Sequence, residues 1–291
     1  MDPFPQDMIT QYDLTDRESA VRGIHFPKDS QELALARRRL VFEEFFYFIL
    51  MLKSLRESRE VRRTGCALMQ CPQTEQVLKS LPYELTGAQK RVWREISEGL
   101  ASTKVMARLV QGDVGSGKTI VAFLALIQCA QAGRQGALMV PTEVLARQHF
   151  EAFERICETA GLSIPAVLLT GSMNASGRRQ AYAAISAGEV KVVIGTHALI
   201  QEKVEYRNLA LVITDEQHRF GVHQREILEE KGITPHTIVM SATPIPRTLA
   251  VILYGDLDVS VIDEMPAERL PIRNAVVDPS WRPKANQFLA R

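Results

Sequence analysis

No stretch of this chain constrains its fold more than Gly112-Asp113-Val114-Gly115-Ser116-Gly117-Lys118-Thr119. The spacing G-x-x-x-x-G-K-T lets backbone N–H groups curl round an anion where a helix begins. The context agrees: the apolar run Val105–Val110 precedes it with a strand pattern, and an apolar helical pattern opens near Ile120. Glycines at Gly112, Gly115 and Gly117 let the backbone through Asp113, Val114 and Ser116 approach a phosphate chain. Lys118 supplies a point charge to the β- and γ-phosphates, and Thr119 offers a hydroxyl to Mg²⁺. A glycine turn of purely structural use needs neither the Lys-Thr pair nor both flanking elements. The stretch is a nucleotide site.

The surrounding text alternates as such a loop requires. Apolar runs at Gly136–Val140, Ala166–Leu169, Val190–Ile194, Leu209–Ile213 and Thr237–Met240 are separated by helical patterns at Ile120–Gln131, Glu143–Thr159, Ala175–Ala187 and Gln224–Glu230. Strands apolar on both faces, alternating with helices, predict an α/β fold with a parallel sheet between helical layers. Ahead of them Ala88, Val92, Ile96 and Leu100 mark one face of a short helix after the turn-rich Leu81-Pro82-Tyr83. Further upstream Val41, Phe45, Phe48, Leu52 and Leu55 recur every three or four residues between Gln31 and Arg59, and Phe42, Phe46 and Ile49 widen the stripe. That pattern predicts an amphipathic helix with a broad buried face. Its basic end, with Lys53, Arg56, Arg59, Arg62 and Arg63, reads either as a solvated helix terminus or as a phosphate-facing strip. The expected organisation is an α-helical segment over residues 1–80, the α/β domain over 81–263, and a linker over 264–291 leading into a further domain.

Charge and cysteine usage narrow the partners. Lys plus Arg number 35 against 34 Asp plus Glu, a formal net charge of +1. An overall basic field is excluded, so contact with nucleic acid must come from local patches. Cys66, Cys71, Cys129 and Cys157 form no C-x-x-C pair and no zinc spacing, which suits reduced thiols in a cytoplasmic protein. The longest apolar run, Phe45 to Leu52, is far short of the ~18 residues that span a bilayer. No membrane partner is expected.

A metal-holding carboxylate should end another strand. Leu209–Ile213 runs into Thr214-Asp215-Glu216-Gln217-His218, which places two carboxylates at the carboxyl edge of a parallel sheet, where ligands bind. Asp215 would hold Mg²⁺, and Glu216 would orient and deprotonate an attacking water.

These residues also carry a family resemblance. Asp215-Glu216-Gln217-His218 resembles motif II of superfamily 2 helicases, and the P-loop resembles motif I. The remaining elements follow in order. Leu85-Thr86-Gly87-Ala88-Gln89 resembles the segment whose glutamine reads adenine. Pro141 to Gln148 resembles motif Ia, Thr170-Gly171-Ser172 motif Ib, Gly195 to Leu199 motif Ic, and Ser241-Ala242-Thr243-Pro244 motif III. The longer phrases Asp215 to Val222 and Ser241 to Leu249 resemble the RecG family of replication-fork helicases; a second resemblance is to the transcription-repair coupling factor. The stretches Ile24 to Pro27 and Ala36 to Glu44 are similar to the helical segment that the RecG family carries ahead of its motor.

What the resemblance implies is a RecA-like P-loop domain that hydrolyses ATP with Mg²⁺ and moves on DNA at forks and four-way junctions, with 3′-to-5′ polarity. Gln89 would read adenine, Lys118, Thr119, Asp215 and Glu216 would form the hydrolytic centre, and His218 would sense the γ-phosphate or contact motif III. Thr142, Arg147, Thr170, Gly171, Thr196 and His197 would grip the DNA backbone, and Ser241 and Thr243 would couple nucleotide state to DNA. The family's second motor domain and its wedge domain match nothing in this sequence and would be partners of it. Without the second domain's arginine fingers, hydrolysis by this stretch alone should be poor.

Bland readings cover the rest. His25, His149, His223 and His236 have no partner at ligand spacing and read as packing or surface residues. Trp93 packs the helix carrying Gln89 or stacks on adenine. Two other classes compete with the motor. A small-molecule phosphotransferase has no need of Ser241-Ala242-Thr243 or the Thr196 element, and a nucleotide-binding adaptor has no need of Glu216.

Overall fold

The computed structural model describes residues 2–61, 66–215, 222–242, 257–266 and 278–289. Its centre is a seven-stranded sheet in the order β3-β4-β2-β5-β6-β1-β7. The strands are β1 (Ala107–Gly112), β2 (Gln135–Met139), β3 (Ala166–Leu169), β4 (Val192–Gly195), β5 (Leu209–Asp215), β6 (His236–Ser241) and β7 (Asp258–Ile262), and every pairing is parallel. The expected α/β class, a RecA-like parallel sheet between helices, is what forms. β7 escapes an apolar-run reading because it lies at the sheet edge, where Asp258 is exposed and only Ser260 and Ile262 are buried. The strand-like run at Ile272–Val277 lies outside the described residues.

Both sheet faces are covered because alternate residues of each inner strand are apolar. Leu138, Leu211, Ile213 and Ile238 face one layer, with α5 (Gly87–Ala101), α6 (Lys118–Gln131) and α7 (Glu143–Thr159). Ala137, Met139 and Val212 face the other, with α8 (Ala175–Ala187) and α9 (Val222–Glu230). α6 is buried from Ile120 through Ala130, as a helix apolar all round must be. The segment from Cys66, with α4 (Pro72–Ser80), joins this domain: Leu68 and Val77 are fully buried in its main core. Trp93 packs against that core, as expected.

His236, expected to be a packing residue, is fully buried at the start of β6. Its Nδ1 accepts from the Met106 amide at 3.0 Å, and its Nε2 lies 3.3 Å from the Cys66 carbonyl. Burial pushes its pKa down to about 4, against a smaller opposing pull from the Cys66 carbonyl. Between that value and the ordinary ~6.5, the unfolded chain binds a proton that the folded chain does not. Stability is therefore complete above pH ~6.5 and falls as pH drops toward 4, by on the order of 2 kcal/mol at pH 5. Unfolding free energies from urea titrations at pH 7.5 and pH 5 should differ by that much more in the parent than in His236→Asn; an equal drop in both would put the titration elsewhere.

Ahead of the sheet lie α1 (Gln6–Gln11), α2 (Arg17–His25) and the 32-residue α3 (Ser30–Val61). The stripe on α3 is a helix as expected, but its apolar face is not covered. Val41, Phe45, Ile49, Leu50 and Met51 are exposed, and Phe48 and Leu52 half-buried. The N-terminal half packs through Ala36, Arg39, Phe42 and Phe46 against α2 and Phe4; the side chain of Leu55 lies outside the described residues. Periodicity reports that a face is apolar, not what lies on it. The side chains of Arg56 and Arg59, and all of Arg62 and Arg63, are outside the described residues. None of the described helices is long and apolar enough to cross a membrane.

Candidate nucleotide and nucleic-acid sites

The phosphate loop sits where β1 meets α6. Gly115 and Gly117 have φ of 81° and 85°, left-handed values that build anion nests and suit glycine. Lys118 is buried, and its Nζ donates to the carbonyls of Gly112 at 2.7 Å and Asp113 at 3.0 Å. Asp113 and Val114 are exposed at the tip, where the Asp113 carboxylate accepts from the Val114 amide at 2.7 Å. Ser116 is 1% exposed, and its hydroxyl has no hydrogen-bond partner among the described residues. An orphaned buried hydroxyl, a left-handed glycine pair and an ammonium held at the mouth of the loop all fit a polyphosphate.

Gln89 braces this loop. Thr86 and Gln89 form a capping box at the start of α5: the Thr86 amide donates to Gln89 Oε1 at 2.9 Å, and the Gln89 amide donates to Thr86 Oγ1 at 3.2 Å. Gln89 Nε2 then donates to the Ser116 carbonyl at 2.7 Å. Both ends of its amide are thus engaged by the chain itself. Beside it lies a cavity of about 540 Å³ bounded by Tyr83, Glu84, Gly115, Gly117, Thr119 and Pro266, within the range of nucleotide-sized ligand sites.

The residues from 264 onward, expected to be linker, are tied at their beginning to α5. Glu264 accepts from the Ala88 amide at 3.0 Å, and Asp263 pairs with Arg91 at 2.8 Å. Pro266 is thereby brought to the cavity wall. Nothing in the local sequence announced this, because Glu264 and Ala88 are 176 residues apart.

Strand order then divides the carboxyl edge in two. β1, β6 and β5 are neighbours, with Gln111 opposite Ser241 and Met240 opposite Asp215. The phosphate loop, buried Ser241 and Asp215 therefore end on one half of the edge. Glu216, His218 and Thr243 lie outside the described residues. His149, expected to be a packing or surface residue, approaches Asp215: its Nε2 is 3.4 Å from Asp215 Oδ2, while its ring meets Phe123 edge-on at 6.1 Å. Among the described residues no group of three or more His, Cys, Asp or Glu converges on a metal position. A hard cation held by Asp215, Thr119 and substrate phosphates is the arrangement that Mg²⁺ prefers over an all-protein cage.

β2, β4 and β3 form the other half, and the elements resembling motifs Ia, Ib and Ic follow them. Thr142 is exposed and caps α7, its hydroxyl accepting from the Leu145 amide at 3.3 Å. Arg147, Gly171 and His197 are also exposed. Thr170 and Thr196 are buried; Thr170 Oγ1 lies 3.3 Å from Ser172 Oγ, and Thr196 Oγ1 has no partner among the described residues. Glu143, which no motif role marks, accepts from both the amide and the hydroxyl of Ser172 and so ties the loop after β2 to the loop after β3. The Ser172 hydroxyl holds the Glu143 carboxyl below its usual pKa.

A family model described as DEAD/DEAH box helicase matches residues 86–252, from the capping threonine of α5 to beyond the end of β6. The chain belongs to the DEAD/DEAH box helicase family. Within that family it is similar to RecG along its whole length. It is 46% identical over 291 residues to the ATP-dependent DNA helicase RecG of Synechocystis, covering 100% of this chain and 35% of the relative. Its identity to the RecG of Streptococcus pneumoniae is 50%, covering 92% of this chain and 40% of the relative. A solved structure of RecG bound to a three-way DNA junction superposes with a TM-score of 0.80 at 41% identity, covering 99% of this chain and 38% of that one. The chain thus spans little more than a third of the length of the helicases it matches. Matches of this kind do not favour the coupling-factor alternative.

Proposed function

We propose that this DEAD/DEAH box helicase chain is the ATP-binding half of a RecG-type DNA motor that remodels forks and four-way junctions with 3′-to-5′ polarity. The observation that carries the proposal is the divided carboxyl edge: one row of strand ends presents phosphate-binding groups, and the adjoining row presents exposed Thr142, Arg147, Gly171 and His197. A phosphotransferase or an adaptor has no use for the second row. The likeness over 99% of this chain to RecG on a three-way junction supports branched DNA as the substrate.

In this reading the P-loop amides and Lys118 hold the β- and γ-phosphates, with the ammonium moving from the carbonyls of Gly112 and Asp113 to phosphate oxygens. Thr119 and Asp215 hold Mg²⁺, which when bound offsets the charge that develops on the phosphates. Glu216 takes a proton from the attacking water as the γ-phosphoryl group leaves ADP. Gln89 faces adenine after exchanging one of its present bonds, and His218 reports the γ-phosphate. Ser241, at the end of the strand between the P-loop and Asp215, and Thr243 relay nucleotide state to the DNA row. Thr142, Arg147, Thr170, Gly171, Thr196 and His197 belong to that row, the two buried threonines shaping its loops. A second motor domain supplies arginine fingers and a wedge domain splits the fork; the setting is the bacterial cytoplasm, with the nucleoid.

The test is phosphate release with and without forked DNA, by this chain, by a form extended through the second motor domain, and by Glu216→Gln in the extended form. Expected are DNA stimulation of the extended form, near-complete loss in Glu216→Gln, and little turnover by the short chain. Brisk, DNA-indifferent turnover by the short chain would refute the motor. A methylphosphonate patch reads polarity, since it should stop translocation only on the strand tracked 3′ to 5′.

A further inference from the structure

α7 has two working sides. Its first turns carry Thr142 at the cap and exposed Arg147, on the row proposed to meet DNA. Two residues beyond Arg147, and so roughly 200° round the helix, His149 points inward. Its ring is 14% exposed, rests edge-on against Phe123, and brings Nε2 to 3.4 Å from Asp215 Oδ2. Asp215 is itself 13% exposed and ends β5. An ionised carboxylate only accepts hydrogen bonds, so the contact is attractive when His149 carries its hydrogen on Nε2.

From this contact we infer that His149 is a positioning residue for Asp215, and that it links the DNA-facing helix to the metal-holding carboxylate. The inference rests on the assignment of Asp215 to Mg²⁺ made above. Asp215 sits on a strand whose backbone is fixed by β2 and β6, but its carboxylate can still rotate about the side-chain bonds. Among the described residues His149 brings a polar atom within hydrogen-bonding reach of that carboxylate, and it stands on the helix that Thr142 caps and that carries Arg147. DNA that seats α7 also seats His149, and the carboxylate is then held in one orientation when the phosphates arrive. The long 3.4 Å contact suits a bond that tightens on loading. Residues that orient a metal's ligands typically change metal affinity or activity 10–100-fold when removed.

The test uses the full-length protein carrying this chain and three variants. His149→Leu keeps bulk against Phe123 but donates nothing; His149→Gln places an amide N–H near the position of Nε2; Asp215→Asn checks the underlying site. The readouts are kcat and KM for ATP with and without junction DNA, the Mg²⁺ concentration giving half-maximal rate, junction affinity, and the thermal midpoint. In His149→Leu we expect DNA-stimulated kcat to fall at least 10-fold and the Mg²⁺ requirement to rise by a similar factor, with junction affinity within 2-fold of the parent. His149→Gln should recover most of the loss. Unchanged stimulation in His149→Leu overturns the inference, as does an equal loss in both variants tracking a lowered thermal midpoint, which marks packing alone. If Asp215→Asn stays fully active, the metal assignment fails and takes the inference with it; if Asp215→Asn is dead while His149→Leu is normal, only the inference fails.

Discussion

Gly117→Ala is expected to abolish nucleotide binding while leaving the domain folded. Gly117 caps α6 at φ 85°, where a residue with a Cβ pays about 1–2 kcal/mol. Its Cβ would also fall on Gln89 Nε2, well inside any real carbon–nitrogen contact. The obstructing atom is the end of a flexible side chain, so Gln89 can swing aside and the fold survives a penalty small beside a typical domain stability of ~5–15 kcal/mol. Function does not survive on the same terms. Gln89 would give up the 2.7 Å bond that fixes the Ser116 carbonyl, and the loop amides would turn away from the phosphates. A misplacement of about 1 Å in a binding constellation costs on the order of 10²-fold, and here the nest and its brace move together. Titration with a fluorescent ATP analogue should show at least that loss, with a thermal midpoint only a few degrees lower. Gln89→Ala separates the causes: it removes the brace and keeps the left-handed glycine, so its loss should be smaller. If Gly117→Ala binds nucleotide normally, the loop is not held as described.

The same residues show what a sequence discloses and what it withholds. The P-loop is legible because its chemistry is local: glycines, lysine and threonine act within eight consecutive positions, and the apolar runs on either side name their own secondary structure. The inner strands are legible because burial on both faces demands unbroken apolar runs. β7 is not, because an edge strand needs only alternate burial. Strand order is withheld as well, and with it the division of the carboxyl edge, since nothing in the runs says that β6 lies between β1 and β5. Contacts between distant positions are withheld most completely. His149 and Asp215 are 66 residues apart, and no spacing rule connects a histidine late in one helix turn to a carboxylate ending another strand. Gln89 shows a subtler gap: its identity points to adenine, while the bonds it makes to Thr86 and Ser116 emerge only when α5 is set against the loop. On α3 the pattern correctly marks an apolar face, and Val41, Phe45 and Ile49 are nonetheless exposed. Amphipathicity is a property of one element, whereas burial belongs to a pair.

Arg39→Ala should release the segment before α3 from that helix without unfolding the sheet. Arg39 is completely buried, which for an arginine demands a counter-charge. It pairs with Asp2 at 2.7 Å and Glu43 at 2.9 Å, and its guanidinium lies 4.4 Å from the centre of the Phe4 ring. Glu43 also meets Arg17 at 3.3 Å, so one buried cation organises Asp2, Phe4, α2 and α3 together. Removing it leaves two largely buried carboxylates facing each other's field, a change worth about 3–5 kcal/mol against ~0–1 for an exposed pair. Amide exchange in α1 and α2 should accelerate accordingly, by about 100-fold or more, while α6 and the inner strands keep their protection. Acid should do part of the same work. Burial opposes the charge on Asp2, but the amides of Phe4 and Arg17 and the Arg39 guanidinium outweigh it and hold the carboxyl below its usual range. That contribution is complete above an ordinary aspartate pKa of ~3.9 and fades only as pH falls through the lower folded value. The parent should therefore hold α1 and α2 closed at pH 5 and loosen them in stronger acid, while Arg39→Ala is loose at both. Replacing the whole cluster, as Arg39→Met with Asp2→Asn and Glu43→Gln, should restore much of the lost protection, because what costs most is the unpaired buried charge rather than the missing ion pair. Equal exchange in Arg39→Ala and the parent would mean that the aromatic contacts of Phe4 with Phe42 and Phe46 hold the segment without the cation.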